Sequence, residues 1–306
     1  MTENEFLLAD RIAKIKSINE QYDLENNAYV SFSGGKDSTV LHYLIDEALP
    51  NNKIPRVYAD TGIELKSIRN FVMEIQKNDS RIQIIKPTQN IKSTLETYGY
   101  PFKSKAHSQV LADYQMYGFE KYTWTRVYAG LELTTKGTKP FRICPQKLKY
   151  QFSKDFKLKI SDMCCTKLKK EPLDKWQEEN NRKISIVGVR REEGGRRFNA
   201  LCVVTVAGKI KSFQPLAPVT EDFENWFINY KNIKLAEIYY PPYNFKRTGC
   251  VGCPFAINLQ HELDTLEKYF PEERKRCEII WKPVYDEYRR IGYRLKKKDD
   301  QPTLFD

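Results

Sequence analysis

The sequence predicts an α/β protein with a doubly wound, mostly parallel sheet and a helical C-terminal region. Short strand-like runs alternate with helical stretches early in the chain, at 28–32, 55–59 and 82–85. The pattern of a buried strand returns at 184–189, and residues 262–295 look helical. Because parallel neighbours need a crossover, usually a helix, this alternation favours a Rossmann-like sheet covered on both faces.

Composition sets limits on the class of protein. The chain has 306 residues, 41% of them hydrophobic, so it can bury a real interior. We expect no membrane partner, because no apolar run reaches the ~18 residues of a spanning helix. The polar N-terminus lacks the pattern of a signal peptide, which predicts a cytoplasmic protein. A net charge of +11 favours a polyanionic partner, although a lysine-rich solubilising surface would explain it as well.

The elements suggest four regions along the chain. An amphipathic helix at 4–20 leads into the core, and a nucleotide-binding domain follows. Two proline positions, Pro271 and Pro283, interrupt the later helical pattern. The predicted regions are an N-terminal helix (1–26), a core domain (27–230), a cysteine-bearing helical region (231–295) and a polar tail (296–306).

An aromatic and basic stretch interrupts the predicted core domain at 98–142, where tyrosines and Trp124 alternate with lysines and arginines. We interpret it as an insertion. Such residues could stack bases and contact phosphates of a nucleic acid. Tyrosine-rich stretches also form local cores, and the sequence leaves both interpretations open.

The sharpest motif is the loop Ser33-Gly34-Gly35-Lys36-Asp37-Ser38, between a predicted strand that includes Ser31 and a predicted helix. Glycines allow backbone N–H groups to approach phosphate oxygens, and the helix N-terminus adds positive potential. Lys36 supplies a compact positive charge. The loop is not a Walker A motif, which needs four residues between its glycines. It resembles the pyrophosphate loop of the ATP-pyrophosphatase superfamily.

Two further turns follow predicted strands. Asp60-Thr61-Gly62 comes after the second strand, and a loop rich in arginine comes after the strand at 184–189. Charge-assisted contacts from arginine suit phosphate or sulfate. The residues of this second loop that we expect to contact the ligand are Gly188, Arg190, Arg191, Arg196 and Arg197.

The third signal is cysteine spacing. Cys164 and Cys165 are adjacent, and 84 residues separate them from Cys250 and Cys253, a Cys-x-x-Cys pair. Four thiolates in two tight pairs suit either a tetrahedral zinc ion or a 4Fe-4S cluster. Spacing alone does not choose between the two metals.

The motifs together resemble the PAPS reductase family, especially its members in phages and mobile elements and the DNA-phosphorothioation sulfur-transfer proteins. The resemblance covers about residues 27–260 without the insertion. It implies an adenine nucleotide alpha hydrolase-like fold and a 4Fe-4S cluster on Cys164, Cys165, Cys250 and Cys253. It also implies that an adenine nucleotide binds at Ser31, along the glycine loop and the Asp-Thr-Gly turn, and along the arginine loop.

Two departures from the reductases matter. No cysteine follows Cys277 in this sequence, so the C-terminal nucleophile that reduces APS or PAPS is expected to be absent. The reductases tend to lose the Lys-Asp pair of the loop, whereas Lys36 and Asp37 are both present here. The resemblance therefore favours ATP with Mg²⁺, with Asp37 and Asp60 near the metal or the adenosine, and release of AMP and pyrophosphate.

The expected activity is sulfur transfer to an acceptor such as nucleic acid. The expected partner is a sulfur or electron donor, a cysteine desulfurase or a thioredoxin-like protein. There are two alternatives. One is an APS or PAPS reductase, and the other is a non-catalytic nucleotide- or nucleic-acid-binding component of a mobile-element or defence complex. Lys36, Asp37, Arg190 and Arg191 are the catalytic candidates. Cys144 joins them because nearby basic residues would favour its thiolate, although a plain buried cysteine is an equal interpretation.

Overall fold

The computed structural model describes residues 1–133, 143–194, 197–246 and 249–297. The chain divides into two compact units, each assembled from two segments. Unit 1 consists of Met1–Thr88 and Lys169–Thr248, and unit 2 consists of Gln89–Leu168 and Gly249–Asp306. The predicted boundaries at 26, 230 and 295 stay predictions.

Unit 1 contains the predicted sheet. Its strand order is β3-β2-β1-β4-β6-β5, and all neighbours are parallel except β5 and β6. The strands are β1 (Ala28–Ser31), β2 (Arg56–Ala59), β3 (Ile82–Ile85), β4 (Ile184–Ile186), β5 (Val203–Val206) and β6 (Lys209–Phe213). The doubly wound α/β class is thereby confirmed.

Helices cover both faces of this sheet. Helices α1, α3 and α10 contact one another, and their apolar side chains form the main core with those of β1 and β4. Helix α4 packs on the same face, where Val72 contacts Tyr58 and Ile82. Helix α9 packs over β2 and β3 on the other face, where Trp176 contacts Tyr29 and Val57. The helices of unit 1 are α1 (Glu3–Tyr22), α2 (Leu24–Asn27), α3 (Lys36–Ala48), α4 (Lys66–Asn78), α9 (Glu171–Glu179) and α10 (Glu221–Tyr230).

The sequence interpretation missed the hairpin at the sheet edge. Strands β5 and β6 are antiparallel, and Ala207 and Gly208 between them both have positive φ, of 49° and 74°. A two-residue turn of this kind matches the twist of a hairpin. The hairpin starts just after Cys202, which is partly buried against the main core.

Unit 2 is mainly helical. Its helices α12 and α13 have Pro271 and Pro283 in their first turns, which confirms the predicted interruptions. No helix in the described residues is long and apolar enough to span a membrane. The helices of unit 2 are α5 (Ile91–Tyr98), α6 (Lys105–Tyr117), α7 (Thr123–Ala129), α8 (Met163–Cys165), α11 (Leu259–Tyr269), α12 (Pro271–Ile280) and α13 (Lys282–Ile291), with a 3₁₀ helix at Gln146–Phe152.

Candidate functional site

The glycine loop joins β1 to α3 in the predicted strand, loop and helix order, and Gly35 is the N-cap of α3. Gly34 has φ of +68°, and a Cβ there would lie 2.6 Å from Cγ2 of Val72, so only glycine fits. The hydroxyls of Ser33 and Ser38 are 2.9 Å apart, and the Gly35 N–H donates to the Ser33 hydroxyl at 3.3 Å. The loop is thus folded around the first turn of a helix whose N-terminus attracts anions.

Both cations at this loop are held by carboxylates. Lys36 Nζ lies 3.1 Å from Glu221 and 3.8 Å from Glu224 on α10. Arg190 Nε donates to Asp37 at 2.8 Å and lies 3.2 Å from Glu224. Because neighbouring carboxylates already neutralise the two cations, an incoming phosphate must displace them or bring a metal ion to satisfy them.

Glu224 is the least expected member of this group. Its side chain is fully buried, and neither of its oxygens has a hydrogen bond of good geometry. Burial and the nearby Asp37 carboxylate together raise the pKa of Glu224 to about 9, although Arg190 opposes the rise. A buried carboxyl with unsatisfied oxygens is costly, and such groups cluster at functional sites.

The Asp-Thr-Gly turn follows β2, the parallel neighbour of β1, so the two loops leave the same edge of the sheet. Asp60 accepts a hydrogen bond from Arg69 at 2.8 Å and another from the Gly62 N–H. The Thr61 hydroxyl donates to Glu64 at 2.7 Å, and that carboxylate lies 3.2 Å from Lys169. Asp60, Thr61 and Glu64 are buried, so the turn is rigidly held.

The arginine loop follows β4, the other parallel neighbour of β1. A Cβ on Gly188 would lie 3.0 Å from the carbonyl oxygen of Asp37, so this glycine allows the two loops to approach closely. The glycine loop therefore sits where the strand order reverses, the usual ligand position in doubly wound sheets.

The arginines of this loop divide into two groups. Arg190 reaches Asp37, whereas Arg191 Nε donates to the carbonyl of Ala200 at 2.7 Å. Arg197 pairs with Glu193. Arg191 also lines an open cavity of about 570 Å³ between the loop and residues 198–201. Arg196 lies outside the described residues.

The four predicted metal-binding cysteines all belong to unit 2. The thiols of Cys164 and Cys165 are hydrogen-bonded to each other, and this bond, with burial, holds the pKa of Cys164 far above its usual range. Cys253 and Cys250 raise it further, which puts all four thiols in electrostatic range of one another. Burial and Cys250 likewise raise the pKa of Cys253. A metal ion would relieve this mutual repulsion by favouring the thiolates.

Buried aromatic side chains fix the Cys-x-x-Cys loop. Trp281 Nε1 donates to the carbonyl of Val251 at 2.9 Å, and the Tyr285 hydroxyl donates to that of Gly252. The Tyr288 hydroxyl donates to the carbonyl of Pro254 at 2.9 Å. Gly252 has φ of +58°, and a Cβ there would lie 2.5 Å from the Tyr285 hydroxyl.

The donor set suits either a zinc ion or a cluster of thiolate-bound iron, with one pair of cysteines on α8 and the other on the Cys-x-x-Cys loop. A backbone N–H from Phe255 also lowers the pKa of Cys253, as expected of a hydrogen bond to a thiolate ligand. In the part of the chain that the structure describes, however, no group of three or more His, Cys, Asp or Glu side chains is arranged to hold a metal ion. The cluster and the choice of metal stay predictions.

Two of the remaining cysteines, Cys144 and Cys277, are buried. Burial raises the pKa of Cys144 to about 11, although Lys103 and Lys149 oppose the rise. The surroundings thus favour the thiol of Cys144 over the thiolate, which agrees with the interpretation as a plain buried cysteine. Its role as a nucleophile stays a prediction. Cys277 is fully buried, and its Sγ would lie 2.6 Å from a Cβ on Gly252, so it packs behind the Cys-x-x-Cys loop.

Three contributors escaped sequence reasoning. Glu224 and the Tyr239 hydroxyl, which accepts from the Lys36 N–H at 3.0 Å, lie about two hundred residues from the loop they contact. Tyr285 stands far from the cysteine loop in sequence as well. For Glu224 the sequence offers one signal, the acidic first turn of α10 from Glu221 to Glu224, which follows a core strand and a turn.

Comparison with known proteins gives a match to a family model and a similar curated protein. The model of the phosphoadenosine phosphosulfate reductase domain matches residues 27–122 and 114–256. An uncharacterised protein of Methanocaldococcus jannaschii is 24% identical over 297 residues, covering 93% of this chain and 55% of the relative. The chain thus spans about half the length of that curated relative.

Solved structures give remoter likenesses. The chain is similar to a phosphoadenylyl-sulfate reductase from Candida auris in a phosphate complex, with 12% identity, a TM-score of 0.44, and coverage of 77% of this chain and 87% of that one. It is also similar to a U34-tRNA thiolase from Methanococcus maripaludis with its 4Fe-4S cluster, with 14% identity, a TM-score of 0.38, and coverage of 92% and 80%. The family match carries more weight than either structure.

Proposed function

The chain belongs to the phosphoadenosine phosphosulfate reductase domain family, and from this premise we propose an ATP-dependent enzyme of sulfur transfer. Unit 1 would bind ATP along the glycine loop, and an acceptor oxygen would attack the α-phosphorus. The bond to the β-phosphate breaks, pyrophosphate leaves, and the acceptor becomes adenylated. A hydrosulfide equivalent then attacks the acceptor carbon and displaces AMP, so the net change replaces oxygen by sulfur without a change of redox state.

One observation carries this proposal: Lys36 and Arg190 meet at the N-terminus of α3, each held by a carboxylate. A pyrophosphate group matches two cations and a helix N-terminus. Mg²⁺, which prefers oxygen ligands, would neutralise the leaving pyrophosphate, with Asp37 as its nearest carboxylate in the loop. Binding of the metal to Asp37 would also free Arg190 for a phosphate.

A cluster bound by the four cysteines of unit 2 would supply an iron site for the transferred sulfur. The residues of the chain have separate tasks around it. Trp281 and Tyr285 hold the Cys-x-x-Cys loop, and Gly252 leaves room for the side chains behind that loop. Zinc remains the alternative metal for the same four thiolates.

The proposal is tested by pyrophosphate release from Mg-ATP by anaerobically purified protein. We expect Lys36→Ala to abolish release and to leave the visible absorbance of the cluster unchanged, because Lys36 belongs to unit 1 and the cysteines to unit 2. Lys209→Ala, at an exposed lysine of the β-hairpin, is the matched control. Full turnover by Lys36→Ala would refute the assignment of the loop.

The metal is tested separately. Anaerobic protein should absorb in the thiolate-to-iron region and lose this absorbance in Cys250→Ala. A colourless protein with one zinc ion per chain, prepared in the same way, would overturn the assignment of iron and leave the nucleotide site unaffected.

A sulfonucleotide reductase is the second candidate, and the family match favours it. Parallel binding measurements with Mg-ATP, APS and PAPS separate the two. Preference for APS or PAPS without pyrophosphate release from ATP would identify a reductase, and a thiosulfonate trapped on Cys277 or Cys144 would show its nucleophile.

A further inference from the structure

The positive charge of the chain is concentrated in one segment. Residues 89–168 carry 14 lysines and arginines against 6 acidic residues, a surplus of 8 out of the +11 of the whole chain. Residues 249–306 carry 11 of each sign. The first segment of unit 2 therefore attracts polyanions, which neither the glycine loop nor the cysteines explain.

An open cleft of about 1030 Å³ lies within this segment. One wall is α6, and the other is the stretch from Ser153 to Met163. Gln115 of α6 fixes the second wall, because its amide donates to the carbonyl of Leu158 at 2.8 Å and accepts from the Ile160 N–H at 2.9 Å. A backbone bridge from Tyr100 to Ile160 fixes the same wall from behind. The cleft is therefore preformed.

The lining of the cleft combines rings with cations. Tyr98, Tyr114 and Phe156 contribute aromatic surface, and Lys154, Lys157 and Lys159 are exposed along the second wall. Two of these lysines are already oriented, because Lys157 Nζ donates to the carbonyl of Lys154 and Lys159 Nζ to that of Thr97. Rings beside a row of lysines match a chain of bases and phosphates.

An aromatic platform stands beside the cleft. Tyr122 and Trp124 stack with their ring centroids 4.1 Å apart and their planes 14° apart. Trp124 is 49% exposed, and its Nε1 donates at 3.0 Å to Asp113, which lines the cleft. Lys121 Nζ lies 3.5 Å from the ring centroid of Tyr117, so a cation borders the platform.

We propose that this cleft and the platform of Tyr122 and Trp124 bind single-stranded nucleic acid. One base enters the cleft, a neighbouring base stacks on Trp124, and Lys154, Lys157 and Lys159 contact the phosphates. A duplex should bind more weakly, because its bases are stacked inside it and cannot enter the cleft. The wall of the cleft ends at Met163, directly before Cys164. That the bound nucleic acid is the acceptor of sulfur rests on the proposed function, whereas the binding itself does not.

The test is fluorescence anisotropy with labelled oligonucleotides of about 12 nucleotides, as single-stranded RNA, single-stranded DNA and a hairpin duplex. The full chain is used without ATP. We expect both single strands to bind, with any preference between RNA and DNA showing the natural ligand, and the duplex to bind at least tenfold more weakly. Trp124→Ala should weaken binding by about 5- to 150-fold, the usual loss of one stacked base.

The lysines have a distinct signature. Replacing Lys154, Lys157 and Lys159 by alanine should lower the slope of log K against log salt by about 2, since each phosphate contact on a single strand contributes about 0.7. Lys16→Ala and Tyr230→Ala, at exposed positions of unit 1, are matched controls and should change neither affinity nor slope. All the replaced side chains are largely exposed, and circular dichroism of each variant checks its folding.

Several results would overturn this proposal: equal affinity for the duplex, equal competition by polyglutamate, affinity unchanged in both variants, or no binding at 150 mM salt. Pyrophosphate release from the same preparations separates the two proposals. Binding without release would refute only the proposed function, and release without binding would refute only this site.

Discussion

Replacement of Gly34 by alanine tests whether the glycine loop is shaped by its close packing against α4. The wild-type residue has φ of +68°, and the added methyl would lie 2.6 Å from Cγ2 of Val72 and 3.1 Å from Cγ2 of Ile68. The left-handed conformation costs alanine roughly 1–2 kcal/mol. Overpacking at a buried site costs about 1–3 kcal/mol more. We therefore expect Gly34→Ala to lower the free energy of unfolding by about 2–5 kcal/mol.

Gly208→Ala is the matched control. Its φ is +74°, and nothing lies within 4 Å of the added Cβ, so this variant carries the backbone strain alone. Urea unfolding of the two variants should differ by the overlap term, about 1–3 kcal/mol. Val72→Ala removes the overlapping methyl, so the double variant Gly34→Ala/Val72→Ala should be more stable than additivity predicts. The reasoning is refuted if Gly34→Ala costs no more than Gly208→Ala, or if the two replacements are additive.

Three further predictions follow from buried groups. Burial holds the pKa of His42 near 4, so as the pH falls from about 6.5 to 4 the unfolded chain binds a proton that the folded chain does not, and the free energy of unfolding should fall. His42→Gln should reduce the slope of this free energy against pH by up to about 1.4 kcal/mol per pH unit. His261→Gln, at an exposed histidine, is the control and should leave the slope unchanged. Tyr285→Phe removes the donor to the Gly252 carbonyl and should cost about 1–3 kcal/mol in urea unfolding, against almost nothing for Tyr230→Phe, where the ring is 60% exposed. Because its pKa is raised to about 11, native Cys144 should resist iodoacetamide at pH 8, as followed by mass spectrometry; labelling as fast as in the denatured protein would contradict this environment.

The sequence predicted the parts of the fold that depend on neighbours along the chain. The order of strand, loop and helix around Gly34 is set by periodicity and glycine chemistry, both visible over about twenty residues. Pro271 and Pro283 mark the starts of two helices for the same reason, since proline is favoured in a first turn.

The parts that the sequence could not predict depend on packing between distant segments. Glu224 is an ordinary helical glutamate until α10 packs against the glycine loop, where burial changes the protonation it favours. Cys144 has basic neighbours in sequence, and Lys103 and Lys149 do lower the pKa of its thiol, but burial outweighs them and raises it. Arg190 and Arg191 are adjacent, yet only Arg190 reaches Asp37.

The two-segment construction of unit 2 has a consequence for the order in which the chain can fold. Phe102 and Tyr288 pack with ring centroids 4.5 Å apart, and the Tyr288 hydroxyl accepts from the Lys103 N–H at 2.7 Å. Residues 89–168 therefore leave the ribosome well before the helix that completes their core. At a synthesis rate of about 5–20 residues per second, the first segment of unit 2 remains without α13 for several seconds or more, and Phe102 stays exposed during that time. During that interval the exposed apolar surface of this segment can bind chaperones. A nascent chain stalled before α13 should be cleaved by protease much faster than the complete protein.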